Sequence, residues 1–281
     1  MPSQRVATKN FTEKDVELCE GRQMPRTIHT SVIARRSGLS MDVLVGSTGL
    51  IGSVLREHHE FDCRFNSENI HLAPLLKEDI DKLYLACLPA EKWKANQAPM
   101  DDFNNMYHVV TKIRLWKPRE IILYSTIDIY SQTCKYVQNF PEIHGIDYGS
   151  VRYIFEMLIR STFPESLITI IRLPALFHRR IKKNVLFDLL NKNNVEKINA
   201  NSSYQWYDLN GLWADTEACR KGEEHQWFSE PVETLEIIDK WFPWAREIVD
   251  CGKRVEYDCG PYFASKEETM KKMGALIDAW N

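Results

Sequence analysis

The distribution of hydrophobic and polar residues predicts alternating strands and helices after residue 40. Apolar runs that suit buried strands occur in Met41–Val45, FDCRFN, KLYLACL, REIILYST and SLITIIRLP. Between and after them, DDFNNMYHVVTKIRLW and YGSVRYIFEMLIRSTF carry apolar residues at helical spacing. This alternation predicts an α/β fold built on a doubly wound parallel sheet.

The first predicted strand runs directly into a glycine-rich turn, GSTGLIG. Gly46 permits a tight turn, Gly49 lets backbone approach a pyrophosphate, and Gly52 allows the following helix to lie near the sheet. A helix N-terminus presents N–H groups and partial positive charge to phosphates. The predicted dinucleotide-binding residues are therefore Gly46, Ser47, Thr48, Gly49, Leu50, Ile51 and Gly52. The spacing G-x-x-G-x-x-G departs from G-x-G-x-x-G, so a purely structural glycine turn is the alternative.

Ligands of such sheets bind beyond the carboxyl ends of the strands. Gly46, Leu88, Thr126 and Pro174 follow or end four predicted strands, so we expect them to converge at one edge. Leu88 and Pro174 accordingly join the predicted cofactor-binding residues.

Three segments are predicted along the chain. Residues 1–40 mix both charges with Ser and Thr and lack a sustained apolar period, which indicates a flexible N-terminal leader. Residues 41–178 are assigned to a dinucleotide-binding Rossmann-type core. Residues 179–281 are assigned mainly to a small substrate-binding C-terminal lobe.

Composition narrows the class of protein further. The chain has 281 residues, 44% of them hydrophobic, and a formal charge of −3. It therefore lacks the excess of basic residues that is typical of nucleic-acid-binding proteins. No apolar run is long enough to predict a membrane span. The seven cysteines include no C-x-x-C pair, which is typical of reduced thiols in a cytoplasmic protein. Neither cysteine nor histidine spacing predicts a metal site.

Four segments taken together resemble a known superfamily: GSTGLIG, YSTIDIY, YGSVRYIFE and IIRLPALF. They are similar in order and separation to the extended short-chain dehydrogenases/reductases, and most of all to the NAD-dependent epimerase/dehydratase branch. That branch includes dTDP-4-dehydrorhamnose reductase-like members. The resemblance covers about residues 41–260. It implies NAD or NADP as cofactor, a nucleotide sugar as small-molecule substrate, and oxidoreductase, epimerase or dehydratase chemistry. It leaves a homodimer open.

The resemblance also implies three catalytic residues. The family's Ser/Thr falls on Thr126 and its catalytic tyrosine on Tyr148, whereas its lysine four residues later is Arg152 here. In the family this cation also contacts the cofactor, so Tyr148 and Arg152 are predicted cofactor contacts too. A fixed cation beside a phenol favours phenolate, so we expect Arg152 to lower the pKa of Tyr148. The alternative is an arginine that only stacks on the tyrosine ring.

The choice between NAD and NADP depends on the second strand. An acidic residue about 20 positions after the glycines favours NAD. Asp62 comes too early for that role, whereas Arg64, with Asn66 and Ser67, suits a 2′-phosphate. This pattern favours NADP without excluding NAD, and a surface role for Arg64 is the alternative.

The C-terminal part is expected to supply the substrate contacts. Asn184, Gln205 and Tyr207 resemble the family's substrate-loop asparagine and the segment that lines its sugar pocket. The cationic run RRIKK, residues 179–183, suits either a sugar-nucleotide diphosphate or a solvated face. Since the family lysine is missing, a noncatalytic dinucleotide-binding or sensor protein is the competing class of function.

Overall fold

The computed structural model describes residues 41–76, 79–130, 146–249 and 252–280, so the predicted leader lies outside the described residues. The strands are β1 Asp42–Val45, β2 Cys63–Phe65, β3 Lys82–Leu85, β4 Glu120–Thr126, β5 Leu167–Leu173, β6 Ala175–Phe177, β7 Ser203–Tyr204, β8 Trp206–Asp208, β9 Glu224–Gln226 and β10 Val232–Glu233. The α-helices are α1 Leu50–His58, α2 Lys92–Gln97, α3 Pro99–Ile113, α4 Tyr148–Thr162, α5 Val185–Asn191, α6 Leu212–Ala218, α7 Thr234–Trp241 and α8 Lys266–Asp278.

Six strands form a parallel sheet in the order β2-β1-β3-β4-β5-β9. The chain leaves β1 toward β2 on one side and continues toward β3 on the other, so the strand order reverses beside β1. In open α/β sheets, ligands bind at the carboxyl end of such a reversal. The predicted α/β class with a doubly wound parallel sheet is confirmed.

Helices cover both faces of this sheet. Alternate residues of a strand point to opposite faces, so neighbouring Leu83 and Tyr84 belong to different hydrophobic clusters. Leu83 lies in a cluster with Met106 of α3 and Phe155 of α4. Tyr84 lies in a cluster with Leu55 of α1. Burial on both faces explains why these strands read as continuous apolar runs.

Helix boundaries follow local signals in the sequence. Helix α3 begins at Pro99, two residues before the predicted segment, because proline suits the first turn, where a backbone N–H has no intrahelical partner. Helix α4 begins at Tyr148, where Asp147 and Ser150 form a reciprocal capping box. This cap fixes the position of Tyr148 at the first helical residue.

A separate hydrophobic cluster forms after β5. It contains Phe177, Leu186, Trp206, Ile237 and Met273, which come from segments far apart in the sequence. Strand β9 also belongs to the C-terminal part, yet it pairs with β5 at the edge of the central sheet. The domain division between residues 178 and 179 stays a prediction.

Candidate active site

The turn after β1 requires glycine at two positions for reasons internal to the fold. Gly46 has φ +94°, and a Cβ there would lie 2.1 Å from the carbonyl oxygen of Ala86. A Cβ on Gly52 would lie 2.2 Å from the carbonyl oxygen of Gly46. Both separations are far below van der Waals contact, so these glycines allow the turn to close and α1 to approach the sheet.

Gly49 differs from its two neighbours. It is exposed, and the nearest atom that a Cβ would meet is the Gly46 carbonyl oxygen at 3.4 Å. It is also the N-cap of α1, so the N–H groups of Leu50, Ile51 and Gly52 open the helix beside it. A side chain at Gly49 fits the protein but would occupy the space in front of these donors. The residues present therefore suit the phosphates of a dinucleotide.

The other residues of the turn hold its shape. Ser47 is buried, and its carbonyl oxygen accepts a hydrogen bond from Nη1 of Arg56 at 3.1 Å. The N–H groups of Gly46 and Ser47 both donate to the carbonyl oxygen of Phe65 on β2. Thr48 is exposed at the tip of the turn.

The end of β2 contains the residues that bear on cofactor choice. Arg64 is exposed. The Oδ1 atom of Asn66 accepts hydrogen bonds from the backbone N–H groups of Glu68 and Asn69, so it holds the turn after β2. Asp62 accepts a hydrogen bond from the N–H of Asp42 at 2.9 Å. The preference for NADP through Arg64 and Asn66 stays a prediction.

The carboxyl ends of adjacent strands bring the next predicted residues to one edge. Leu88 follows β3 and is half-buried, Thr126 is the last residue of β4, and Pro174 is buried directly after β5. Thr126 pairs in register with Leu173, the residue before Pro174. Together with Gly46 after β1, these residues lie at the edge where the strand order predicts a ligand.

Thr126 is tied to Asp128 in the following 3-10 turn. Its hydroxyl donates to Oδ2 of Asp128 and accepts from the Asp128 N–H, both at 3.2 Å. The backbone of Asp128 packs against Gly149, where a Cβ would lie 2.0 Å from the Asp128 carbonyl oxygen. This contact brings the end of β4 against the start of α4, which carries Tyr148.

Tyr148 is buried, with 8% of its surface exposed, and its N–H donates to Oδ1 of Asn96 at 2.8 Å. Burial raises the pKa of Tyr148 to about 12, while Arg152 opposes the rise and the charge of Asp128 adds to it. We had expected Arg152 to lower this pKa. Arg152 does act in that direction, but burial of the phenol outweighs the neighbouring cation, so the net pKa rises.

Arg152 is held in a buried ion pair. Its guanidinium carbon lies 4.1 Å from the centroid of the Tyr148 ring. Both terminal nitrogens donate to the carboxylate of Asp102, and Nη2 also donates to the carbonyl oxygen of Pro89 at 2.5 Å. The side chains of Arg152 and Asp102 are each 5% exposed. The cation beside the phenol is thus neutralised by Asp102, which the sequence reasoning had missed.

The signal for Asp102 was present in the helical pattern. The buried positions of α3 are Asp102, Met106, Val110 and Ile113. A carboxylate on this otherwise apolar stripe indicates a buried cationic partner, because an unpaired buried charge is costly.

A second polar cluster was also missed, and we call it the Lys92 cluster: Lys92, Asp128 and Tyr257. The Nζ atom of Lys92 lies 2.6 Å from Oδ1 of Asp128 and 2.9 Å from the Tyr257 hydroxyl. The Tyr257 hydroxyl in turn donates to Oδ1 of Asp128. The local signal was Asp128 itself, a charged residue between Ile127 and Ile129 directly after a strand.

The carboxylate of Glu156 accepts hydrogen bonds from Arg172 on β5 and from Ser125 on β4. The Arg172 Nη2–Glu156 Oε2 distance is 2.6 Å, and the Ser125 hydroxyl donates to Oε1 at 2.5 Å. Both charged side chains are at least 95% buried. This pair ties the middle of α4 to the sheet, so it fixes the helix that carries Tyr148.

Two of the predicted substrate residues have internal partners. Asn184 is the N-cap of α5. Its side chain accepts a hydrogen bond from the Phe187 N–H and donates one to the Leu176 carbonyl oxygen. The Tyr207 hydroxyl donates to Oδ2 of Asp215 at 2.6 Å, and Tyr207 is buried. Their predicted contacts with substrate would require these hydrogen bonds to change.

Gln205 lies deeper still, at 1% exposure. Its amide nitrogen donates to the carbonyl oxygens of Ser229 and Cys259, and its amide oxygen accepts from the Cys259 N–H. Both amide hydrogens are used, so the side chain has no donor left for a substrate. The structure gives Gln205 the role of joining three backbone segments.

The cationic run divides into two parts. Arg179 and Arg180 pair with Glu57 of α1 at 3.4 and 2.6 Å, so they are not directed at a ligand. Desolvation lowers the pKa of Lys183, while the charge of Glu91 opposes this shift and the charge of Arg152 adds to it. Lys183 is therefore the residue of this run whose pKa is affected by the charge of a predicted catalytic residue, Arg152.

Neither a membrane-spanning helix nor a metal-binding cluster occurs among the described residues. Within residues 41–76, 79–130, 146–249 and 252–280, no helix has the length and apolar character to cross a membrane. The same ranges hold no group of three or more His, Cys, Asp or Glu side chains arranged to bind a metal ion.

Comparison with known proteins gives a consistent result at the level of structure. No family model and no curated protein matches the sequence. Among solved structures, the chain is similar to UDP-glucose 4-epimerase of Thermotoga maritima with UDP-glucose (TM-score 0.60, 11% identity, 79% of this chain and 89% of that one). It is also similar to UDP-N-acetylglucosamine 4-epimerase of Methanobrevibacter ruminantium with UDP-N-acetylmuramic acid. The TM-score is 0.62 at 12% identity, and the match covers 86% of this chain and 97% of that one.

A reductase belongs to the same group of similar structures. This is dTDP-4-dehydrorhamnose reductase of Bacillus anthracis in complex with NADP, with a TM-score of 0.58, 12% identity, and coverage of 86% of this chain and 99% of that one. The chain therefore has the fold of the nucleotide-sugar epimerases and reductases of the extended short-chain dehydrogenase/reductase type. The resemblance drawn from the four sequence segments is confirmed at the level of the fold.

Proposed function

We propose that the protein binds NAD or NADP at the Gly46–Gly52 turn and acts as an oxidoreductase on a nucleotide sugar. The observation that carries this proposal is Gly49. The fold leaves room for a side chain at this position, yet the residue is glycine and borders the N-terminus of α1. A dinucleotide pyrophosphate in that space accounts for the glycine.

We propose that the reaction is the reduction of a keto sugar, with Tyr148 as the proton donor. When bound, the nicotinamide supplies or accepts a hydride at a sugar carbon. With a pKa of about 12, Tyr148 is a protonated phenol at neutral pH, so it is suited to donate a proton. In a reduction, the carbonyl carbon gains the hydride and the oxygen gains the phenol proton, which leaves a hydroxyl on the sugar. We assign the proton donation to Tyr148.

Thr126 and Arg152 have supporting roles in this proposal. Thr126 lies at the carboxyl end of β4, where its hydroxyl borders the substrate. Arg152 stacks on the Tyr148 ring and fixes its orientation. Because Asp102 neutralises Arg152 and burial keeps the pKa of Tyr148 high, we assign Arg152 mainly to positioning of the phenol.

The substrate class is inferred from the similar structures. Two of the similar structures contain a UDP-linked sugar, and a third is a reductase named for a dTDP-linked keto sugar. Lys183, beside Glu91 and Arg152, is our candidate for the contact with the substrate diphosphate.

Titration with NADH and NADPH tests the cofactor half of the proposal. Gly49→Ala and Gly49→Val should melt within a few degrees of the parent but bind the cofactor more weakly, with valine the weaker, because the added side chain fills the phosphate space. Gly46→Ala is the contrasting variant and should unfold, since its Cβ meets Ala86 at 2.1 Å. Unchanged affinity in both Gly49 variants would remove the assigned cofactor site.

A noncatalytic dinucleotide-binding protein is the second candidate. The observation that favours it is the Arg152–Asp102 pair, because an arginine held in a buried ion pair stands in place of the family's lysine. Such a protein would bind the reduced cofactor but would turn over no member of a nucleotide-sugar panel. Turnover that depends on Tyr148 would exclude it.

A further inference from the structure

The Lys92 cluster joins three distant parts of the chain at the carboxyl edge of the sheet. Lys92 begins α2, Asp128 follows β4, and Tyr257 comes from the C-terminal part. The Lys92 Nζ–Asp128 Oδ1 distance of 2.6 Å and the Lys92 Nζ–Tyr257 hydroxyl distance of 2.9 Å fix the ammonium group. Lys92 and Tyr257 lie outside the motifs that carry the resemblance, whereas Asp128 lies within YSTIDIY.

Two contacts place this ammonium group beside the proposed reaction centre. Asn96, on the same helix as Lys92, accepts the N–H of Tyr148 at 2.8 Å, so α2 is held against the start of α4. Asp128 binds Lys92 through Oδ1 and the Thr126 hydroxyl through Oδ2. One carboxylate group therefore lies between Lys92 and Thr126, and its charge also acts on Tyr148.

Lys92 differs from Arg152 in exposure and in free donors. Arg152 is 5% exposed and bound to Asp102, whereas the Lys92 side chain is 41% exposed. An ammonium group has three N–H donors, and Asp128 and Tyr257 take two of them. Among the described residues, one donor of Lys92 is therefore left without a partner.

We propose that Lys92 is the cation that contacts the reacting oxygen of the substrate, with Asp128 and Tyr257 as positioning residues. This rests on the proposed function. The Thr126 hydroxyl has one proton, which it directs to Asp128, so Thr126 is placed to accept a hydrogen bond. The carbonyl oxygen that gains negative charge needs a further donor besides Tyr148. Lys92 supplies it and keeps its own protons, since Tyr148 gives the proton that forms the hydroxyl.

Lys92→Met, with Lys94→Met as the matched control, tests the assignment. Lys94 is exposed on the same helix, so its loss removes an equal charge away from the cluster. Calorimetric titration with UDP-glucose and dTDP-glucose, in the presence of NADPH, measures nucleotide-sugar affinity. Lys92→Met should lose about tenfold or more, as expected for a hydrogen bond from a charged donor. Lys94→Met should match the parent, and NADPH affinity should stay within about twofold in both.

Two further variants distinguish contact from support. Lys92→Arg keeps the charge and donors and should recover part of the affinity. Tyr257→Phe removes one of the two groups that hold Lys92 and should cause a smaller loss than Lys92→Met. A structural role would instead lower the melting temperature and the NADPH affinity together with the nucleotide-sugar affinity, and that pattern would overturn the proposal.

The remaining outcomes separate this proposal from the function it rests on. Equal nucleotide-sugar affinity in Lys92→Met and Lys94→Met overturns the role of Lys92 alone. A parent protein that binds NADPH but neither nucleotide sugar overturns the role of Lys92 and the substrate class, and leaves the cofactor site standing. A parent protein that binds neither nicotinamide cofactor overturns the proposed function itself.

Discussion

Replacement of Arg152 by methionine tests whether the residue that stands for the family lysine is structural. The change removes the guanidinium but keeps a long apolar side chain over the Tyr148 ring. It also leaves the carboxylate of Asp102 without its cation. Asp102 is 5% exposed, so water reaches it poorly and the charge remains largely uncompensated.

The magnitude follows from burial. Removal of one partner from a buried ion pair costs about 3–5 kcal/mol, because the remaining charge is desolvated without compensation. Loss of the stacking contact with Tyr148 adds about 0.5–2 kcal/mol. The carbonyl oxygen of Pro89 also loses its donor, but Pro89 is exposed, so water can replace that donor. We expect Arg152→Met to lower the free energy of unfolding by about 3.5–7 kcal/mol.

Urea unfolding at neutral pH measures this difference, and the same helix provides a control. Arg160 pairs with Glu224 at 2.7 Å, but both side chains are 43% exposed. Exposed pairs contribute about 0–1 kcal/mol, so Arg160→Met should cost about that much. The double variant Asp102→Leu/Arg152→Met removes both charges and should recover most of the stability, since apolar replacement of a whole pair is often neutral.

Equal costs for Arg152→Met and Arg160→Met would contradict this reasoning. They would mean that Asp102 does not hold Arg152 in the protein, so that the guanidinium is free to turn toward the cofactor ribose. In that event the predicted catalytic role of Arg152 would regain its support.

Three further outcomes are expected from individual residues. Tyr148 keeps its proton to a higher pH in the folded state than in the unfolded state, where its pKa is about 10. Its stabilising contribution is therefore present below pH about 10 and is lost as the pH rises through about 12. Urea unfolding across this alkaline range should show a smaller loss of stability in Tyr148→Phe than in the parent. Gln205→Leu removes the three hydrogen bonds between the Gln205 amide and backbone groups of Ser229 and Cys259 and should cost about 2–5 kcal/mol, with NADPH affinity unchanged. Glu57→Gln should leave NADPH affinity within about twofold, because the exposed pairs with Arg179 and Arg180 are weak. A large loss of NADPH affinity in either of these last two variants would contradict the assigned roles.

The fold could be predicted because its signals are local. Strands β1, β3, β4 and β5 fall inside apolar runs, since strands buried on both faces contain few polar residues, whereas the edge strand β2 contains the exposed Arg64. The roles of Gly46 and Gly52 were equally predictable, because only glycine fits a backbone with φ +94° or a Cβ position 2.2 Å from a carbonyl oxygen.

The surroundings of the site could not be predicted in the same way. Arg152 and Asp102 are 50 residues apart, so no local pattern shows that one neutralises the other. Lys92 and Tyr257 are 165 residues apart and meet only through the tertiary fold. The net rise in the pKa of Tyr148 was unpredictable for the same reason, because the spacing of Tyr148 and Arg152 says nothing about burial.

Transfer of deuterium from reduced cofactor to substrate tests the proposed oxidoreductase function most directly. NADPH labelled with deuterium at the transferred position of nicotinamide C4 is incubated with the protein and a panel of keto nucleotide sugars that includes dTDP-4-dehydrorhamnose, and the products are analysed by mass spectrometry. The proposed function predicts deuterium on a sugar carbon of at least one product and loss of that transfer in Tyr148→Phe. NADPH binding without deuterium in any product, or equal transfer in the parent and in Tyr148→Phe, would contradict it.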